Sequence, residues 1–364
     1  MPTAEAELVT VPQRENVPAA ELLAALRSEA DFKRDCTLGL VSIATEIEQF
    51  RGEMQRELRL LCGPDKFEAW RSFAIEQKRK LREELAKLVN GPEERIREHL
   101  NFNKNETLSY LRKLNLDVAS IRKLNHSALE KYLALVKAPA NSPGSQTSTT
   151  PPKVPKTLST WTTIRAPYPA TYAWESREWL RGFWKAGYAP NAWIDSSSGL
   201  LGNINFICDS DAGDYDVGIY DYDAYVTLWY KMPSAGLLEM YIEGQVGNCN
   251  HFISLEDEWG GSNAYARQNC FWFMQAIGSQ RTGVIRTSAS TLVKSGTDAK
   301  ASMSLQPGLT QWAHLYSDVP FRKDEWVYIR AGIQTHNDCF ANDVRVESSI
   351  YCKWCLKSIW MRST

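Results

Sequence analysis

Two periodicities divide the chain. Between residues 40 and 61, apolar side chains recur at three- and four-residue steps (Leu40, Ile43, Ile47, Phe50, Met54, Leu58, Leu61), which places them on one face of a helix. Gly63 and Pro64 break that pattern, and Asp65 is placed to cap a second helix. Its stripe runs through Phe67, Trp70, Ala74, Leu81, Leu85 and Leu88 to Asn90-Gly-Pro, predicting two long helices joined as an antiparallel hairpin. From 104 to 137 the spacing shortens into three groups, Leu108/Leu111/Leu114, Val118/Ile121/Leu124 and Leu129/Leu133/Val136, and predicts three short helices.

After residue 160 the period changes from helical to alternating. In Leu237–Val246, Leu238, Met240 and Ile242 share one face while Glu239, Tyr241 and Glu243 take the other. Similar runs at Tyr225–Met232, His251–Glu256, Ala264–Ile277, Gly283–Val293, Gln311–Tyr316, Trp326–Gln334, Asp343–Ser348 and Tyr351–Arg362 are separated by Gly, Pro, Asn and Asp clusters. Many short strands without crossover helices predict an antiparallel β-sandwich of jelly-roll type.

The fold class expected is therefore multidomain, α plus all-β. Residues 1–18 form a disordered tail, 19–137 a helical hairpin or bundle for docking or oligomerisation, 138–160 a flexible linker, and 161–364 a sandwich for recognition. The Pro-, Ser- and Thr-rich linker predicts an extended, exposed tether that lets the halves move independently.

Composition sharpens this division. Twelve of the thirteen tryptophans lie beyond residue 160, most of them expected in the sandwich core. Trp174, Trp179, Trp184, Trp193 and Trp259 fall in loop-like stretches, and Trp259 is the ring singled out for display to a ligand. Residues 1–137 carry 23 basic and 22 acidic side chains, which lacks the excess that phosphate-backbone binding needs. The stretch from Asp117 to Lys131 has the outline of a helix-turn-helix, with Arg122, Lys123 and Lys131 available to phosphates, but its turn is too short. No transmembrane run is present, and the opening residues lack a secretory signal, so the expected location is the cytoplasm, or outside after export without a cleavable signal. Most of the eight cysteines are then expected to be small buried hydrophobes.

Three chemistries have candidate residues. Asp209, Asp211, Asp214 and Asp216, with the Glu256-Asp-Glu loop beside Trp259, offer oxygen ligands to calcium, although the spacing is not that of an EF-hand. His336-x2-Cys339 followed by Cys352-x2-Cys355 has zinc-site spacing, but on a strand Cys352 and Cys355 point to opposite faces, which makes zinc the weaker candidate. Glu239 and Glu243 are the pair a sandwich glycosidase would need. With no nucleophile elbow, phosphate loop or dinucleotide fingerprint, the reading is a non-enzymatic recognition or assembly protein. Its helical half would bind a protein partner or itself, and its β half a glycan or protein surface. A carbohydrate-active hydrolase is the alternative, and nucleic-acid binding through the helices a further one.

Overall fold

The computed structural model describes residues 17–87, 93–137, 140–152, 161–168, 170–181, 191–195, 199–204, 215–257, 259–261 and 263–364. Helices come first: α1 Ala19–Cys62, α2 Pro64–Lys87, α3 Glu93–Lys113 and α4 Val118–Leu135. Gly63, at φ +81°, turns the chain between α1 and α2, a left-handed conformation open to glycine, and Pro64 then starts α2 where its missing N–H costs nothing. Asp117 caps α4 by accepting from the N–H groups of Ala119 and Ser120. The region 104–137 thus holds the end of one helix and a second continuous one, where the spacing predicts three short helices. Ile121 and Leu129 lie within that single helix, both buried, so the turn of a helix-turn-helix does not exist. No helix among the described residues is long and apolar enough to cross a membrane.

Strands follow as β1 Gln146–Ser148, β2 Thr162–Arg165, β3 Ala170–Arg181, β4 Asn191–Asp195, β5 Leu200–Ile204, β6 Tyr215–Lys231, β7 Gly236–Asp257, β8 Asn263–Ile277, β9 Ile285–Gly296, β10 Ala299–Leu305, β11 Thr310–Phe321, β12 Trp326–Asn342 and β13 Val344–Ser363. They form two antiparallel sheets. One has the order β1-β11-β7-β13-β5-β4, with β10 also on β7 and β2 on β13; the other is β3-β6-β12-β8-β9. Inward residues of both sheets, among them Leu238, Met240, Ile242, Trp272, Ile329, Trp354 and Ile359, form one buried cluster.

Two pairs of predicted strands prove to be single long ones. β7 runs through Gly247 and β13 through Ser349-Ile350, pairing with each other from Val344↔Asp257 to Ser363↔Leu238. Glycine in β7 answers to packing: a Cβ on Gly244 would sit inside the indole ring of Trp272, which is fully buried. Gly244→Val should therefore destabilise the protein by about 3 kcal/mol or more, as overpacking a filled core does. Chemical denaturation monitored by Trp fluorescence reads this directly, and a loss below about 1 kcal/mol would mean that Trp272 is free to move.

The tether expected at 138–160 is stitched down over its described first part. The Ser142 N–H donates to the Arg286 carbonyl at 2.8 Å, the Ser288 N–H donates to the Asn141 side-chain oxygen at 2.8 Å, and β1 pairs with β11. Edge strands leave N–H and C=O groups unpaired, and a Ser/Thr/Asn-rich segment can fill them.

Independent motion of the halves is overturned by their shared core. Ile47, Phe50, Met54, Leu58, Phe67, Trp70, Ile121, Leu129 and Tyr132 from the helices pack with Tyr215, Val217, Ile219, Trp259, Tyr265 and Phe340 from the β half. Polar contacts cross the same seam. Asn125 Nδ2 donates to the Gly261 carbonyl at 3.0 Å, Tyr215 Oη donates to Asn125 Oδ1 at 2.9 Å, and Tyr132 Oη donates to Asp338 at 3.2 Å. At its other end, the start of α1 packs near Trp229, Ile277 and Tyr328, so this helix, roughly 66 Å long, follows the outer side of the second sheet.

Candidate functional site

The first sheet's outer face carries the most concentrated unassigned chemistry. Three adjacent strands turn out three residues each: Trp312, His314 and Tyr316 from β11, Glu243, Tyr241 and Glu239 from β7, and Ser358, Trp360 and Arg362 from β13. The register aligns them in rows, Trp312–Glu243–Ser358, His314–Tyr241–Trp360 and Tyr316–Glu239–Arg362. Alternation on each strand sends these side chains out while Leu238, Met240, Ile242, Ala313, Leu315, Ile359 and Met361 are buried.

Trp161, just before β2, extends the lattice. Its ring lies 5.4 Å from Tyr241, with the Arg362 guanidinium 4.5 Å from its centroid. Tyr241 and His314 stack at 4.0 Å with their planes 8° apart, and Trp312 meets Trp360 edge to face at 6.4 Å. Trp360 Nε1 donates to Ser358 Oγ at 2.8 Å, and Ser358 in turn donates to Glu243. Trp161, Tyr241, Trp312 and Trp360 all remain half-buried.

The two carboxylates are held differently from one another. Glu239 is 3% exposed and accepts from His314 Nε2 at 2.7 Å, from Tyr316 Oη at 3.3 Å and from Arg362 Nε. Burial alone pushes its carboxyl upward, but the His314 and Arg362 contacts outweigh that and hold it below the usual glutamate range. An ionised carboxylate can take the nucleophile or base role of a glycoside-hydrolysing pair but not that of its proton donor.

The residues singled out in the sequence lie elsewhere. Asp209, Asp211 and Asp214 are outside the described residues. Asp216 is fully buried and paired with Arg51 Nη2 at 3.1 Å, so it is a seam residue and not a solvent-facing calcium ligand. Asp257 of the second acidic loop accepts from the N–H groups of Trp259 and Gly260 and pairs with Lys104 at 3.3 Å. Trp259 is 1% exposed, packed edge to face on Trp70 at 5.8 Å, with Nε1 donating to Asp343 at 3.2 Å. No ring face is left for a ligand. Trp174, Trp179 and Trp193 lie on β3 and β4, their side chains outside the described residues, as is all of Trp184.

The predicted zinc set is dispersed. Cys352 is buried while Cys355, on the opposite side of β13, is partly exposed. His336 lies in the other sheet, bonded to Asp221 and 3.3 Å from Asp338. Cys352 instead forms a disulfide with Cys249, an exception to the expectation of free thiols that Cys62, Cys270 and Cys339 follow.

Sequence reasoning looks for display rings in loops and so misses Trp161, Trp312 and Trp360. The signal that finds the last two is alternation, since each lies between residues that prove buried, Gln311/Ala313 and Ile359/Met361.

No family model matches the chain, and no curated protein matches its sequence. Solved structures similar to it include one described as "CBM4 structure and function", 9% identical, covering 52% of this chain and 86% of that one at a TM-score of 0.11. Another is an isomalto-dextranase of Arthrobacter globiformis T6 complexed with panose, 11% identical over 51% of this chain and 24% of that one, TM-score 0.11. A third is a Paenibacillus cycloisomaltooligosaccharide glucanotransferase complexed with cycloisomaltoheptaose, 14% identical over 45% of this chain and 18% of that one, TM-score 0.10. None superimposes closely, and the chemistry of the face has to be read from its own side chains.

Proposed function

We propose that the chain is a non-enzymatic glycan-recognition protein in which the two sheets form a jelly-roll-type sandwich and the outer face of the first sheet is the binding surface. The observation that carries this is the three-strand lattice in which half-buried Trp312, Trp360, Trp161 and Tyr241 alternate with partly exposed Glu243 and Arg362, braced by the buried Glu239 and Ser358. Pyranose rings present C–H faces that pack on aromatic rings and hydroxyls that bond carboxylate and guanidinium groups. A rigid surface offering both needs little reordering on binding, and rigidity is what the internal bonds of the lattice supply. The engaged state of Glu239 favours holding a sugar over cleaving one. The helices' apolar stripe, expected to serve docking or self-association, packs on the β half and so acts as part of the scaffold.

Titration calorimetry of the full chain against a panel of neutral and acidic oligosaccharides tests the reading. Trp312→Ala and Trp360→Ala should each weaken binding by about two- to tenfold, the scale of losing one stacked ring, with thermal unfolding little changed. Absence of binding across the panel, or binding indifferent to both substitutions, would remove this function. Turnover that disappears in Glu239→Gln with Glu243→Gln would instead establish the hydrolase.

A further inference from the structure

A polar layer crosses the otherwise apolar core between the sheets. In the first sheet Cys249 of β7 and Cys352 of β13 are directly opposite in register, and His251 follows two residues after Cys249 on the same side. Thr335, Cys270 and Ser290 are register partners across β12, β8 and β9 of the second sheet. All six are buried. Among the described residues, Cys249, His251 and Cys352 are the group whose ligand atoms converge, lying within 4.8 Å of one another.

The imidazole is oriented as a ligand would be. Gln268 Nε2 donates to Ser348 Oγ at 2.9 Å and to the Phe252 carbonyl at 3.2 Å, which fixes the amide so that Oε1 faces His251 Nδ1 at 3.0 Å. An amide oxygen only accepts, so Nδ1 carries the proton and the Nε2 lone pair points into the cluster. An outer partner that sets the tautomer and aims the other nitrogen is a recurring feature of metal-binding histidines. Nε2 lies 3.4 Å from Cys249 Sγ and 3.8 Å from Cys352 Sγ, and Cys270 Sγ is 4.0 Å from Cys352 Sγ. With zinc bonds of about 2.3 Å to sulfur and 2.0–2.1 Å to nitrogen, the edges of a tetrahedral site are roughly 3.5–3.8 Å. Ser290 Oγ, 2.9 Å from Nε2, occupies the lone pair while no ion is there.

We propose that Cys249, His251 and Cys352 form a buried site for one thiophilic ion of the zinc class, open when the Cys249–Cys352 disulfide is reduced. A dithiol reductant supplies two electrons and two protons to open that bond and is itself oxidised to a disulfide. The ion then binds the neutral imidazole and the two sulfurs as thiolates, releasing two protons to solvent. Disulfide and metal are alternative cross-links of the same two strands, so the redox state of the surroundings selects between them.

The test uses the full-length chain, reduced, freed of metal and titrated with Zn²⁺ and, as a spectroscopic probe, Co²⁺. One ion per chain is expected, with thiolate-to-cobalt charge-transfer absorption, and none in the oxidised protein. Gln268→Leu should weaken Zn²⁺ about 10–100-fold, because it frees the imidazole without touching a ligand. The double variant Cys249→Val with Cys352→Val keeps the core apolar and should bind no ion there. No uptake by reduced protein whose thiols are shown to be free would overturn the proposal. So would uptake unchanged in the double valine variant and in His251→Gln, which would locate the ion elsewhere.

Discussion

Replacing Arg51 with methionine should lower the unfolding free energy by about 3–5 kcal/mol, the range for breaking a buried ion pair from one side. Arg51 reaches from α1 into the β half, where its guanidinium bonds the Tyr215 carbonyl and lies 3.1 Å from Asp216. Asp216 is fully buried, so methionine there removes a paired cation from a carboxylate that water cannot reach. Urea denaturation of Arg51→Met, Asp216→Asn and the double variant provides the check. The second substitution should recover much of the loss, since it removes the stranded charge. A change under about 1 kcal/mol in Arg51→Met would mean that the seam between helices and sheets carries little of the stability.

The second large effect is on pH dependence. Burial works against the His336 imidazolium, but Asp221 and Asp338 on either side outweigh it and raise its pKa from 6.5 to about 10. Arg267 and Tyr132, both bonded to Asp338, and Asp223, near Asp221, also face this network. The folded chain thus holds this proton more tightly than the unfolded chain. The resulting stabilisation is complete below about pH 6.5, where both states are protonated, and drains away as pH climbs toward about 10. Denaturation midpoints of the parent at pH 6, 8 and 10 should fall more steeply than those of His336→Gln. The difference between the two proteins isolates this group from lysines and tyrosines titrating in the same range. Parallel slopes would show that the fold does not raise the affinity of His336 for its proton.

The features legible in the sequence are those that depend on near neighbours. The stripe Ile47, Phe50, Met54 and Leu58 is buried as its spacing predicts, α1 stops at Gly63, and the outward row Glu239, Tyr241 and Glu243 lies opposite Leu238 and Ile242. The features that escape it depend on pairing between distant segments. Gly247 and Ser349 look like strand ends, yet β7 and β13 hold each other extended across both positions. Trp259 looks available because its Gly-rich surroundings read as an open loop, and only the arrival of Trp70 from α2 covers it. Cys249 and Cys352, 103 residues apart, meet through a strand register that no local spacing encodes. Zinc-like spacing within β13 misleads for the same reason, since a strand sends Cys352 and Cys355 to opposite sides.

The shared core between helices and sheets sets an order of events during synthesis. Tyr132 is made 206 residues before Asp338, the group that its hydroxyl bonds. At 5–20 residues per second, the helices leave the ribosome roughly 10–40 s before the strands that bury their apolar stripe. Phe50, Met54, Trp70 and Tyr132 spend that interval without the cover the β half supplies, which makes the emerging helical segment a natural client for chaperones that hold exposed apolar chain.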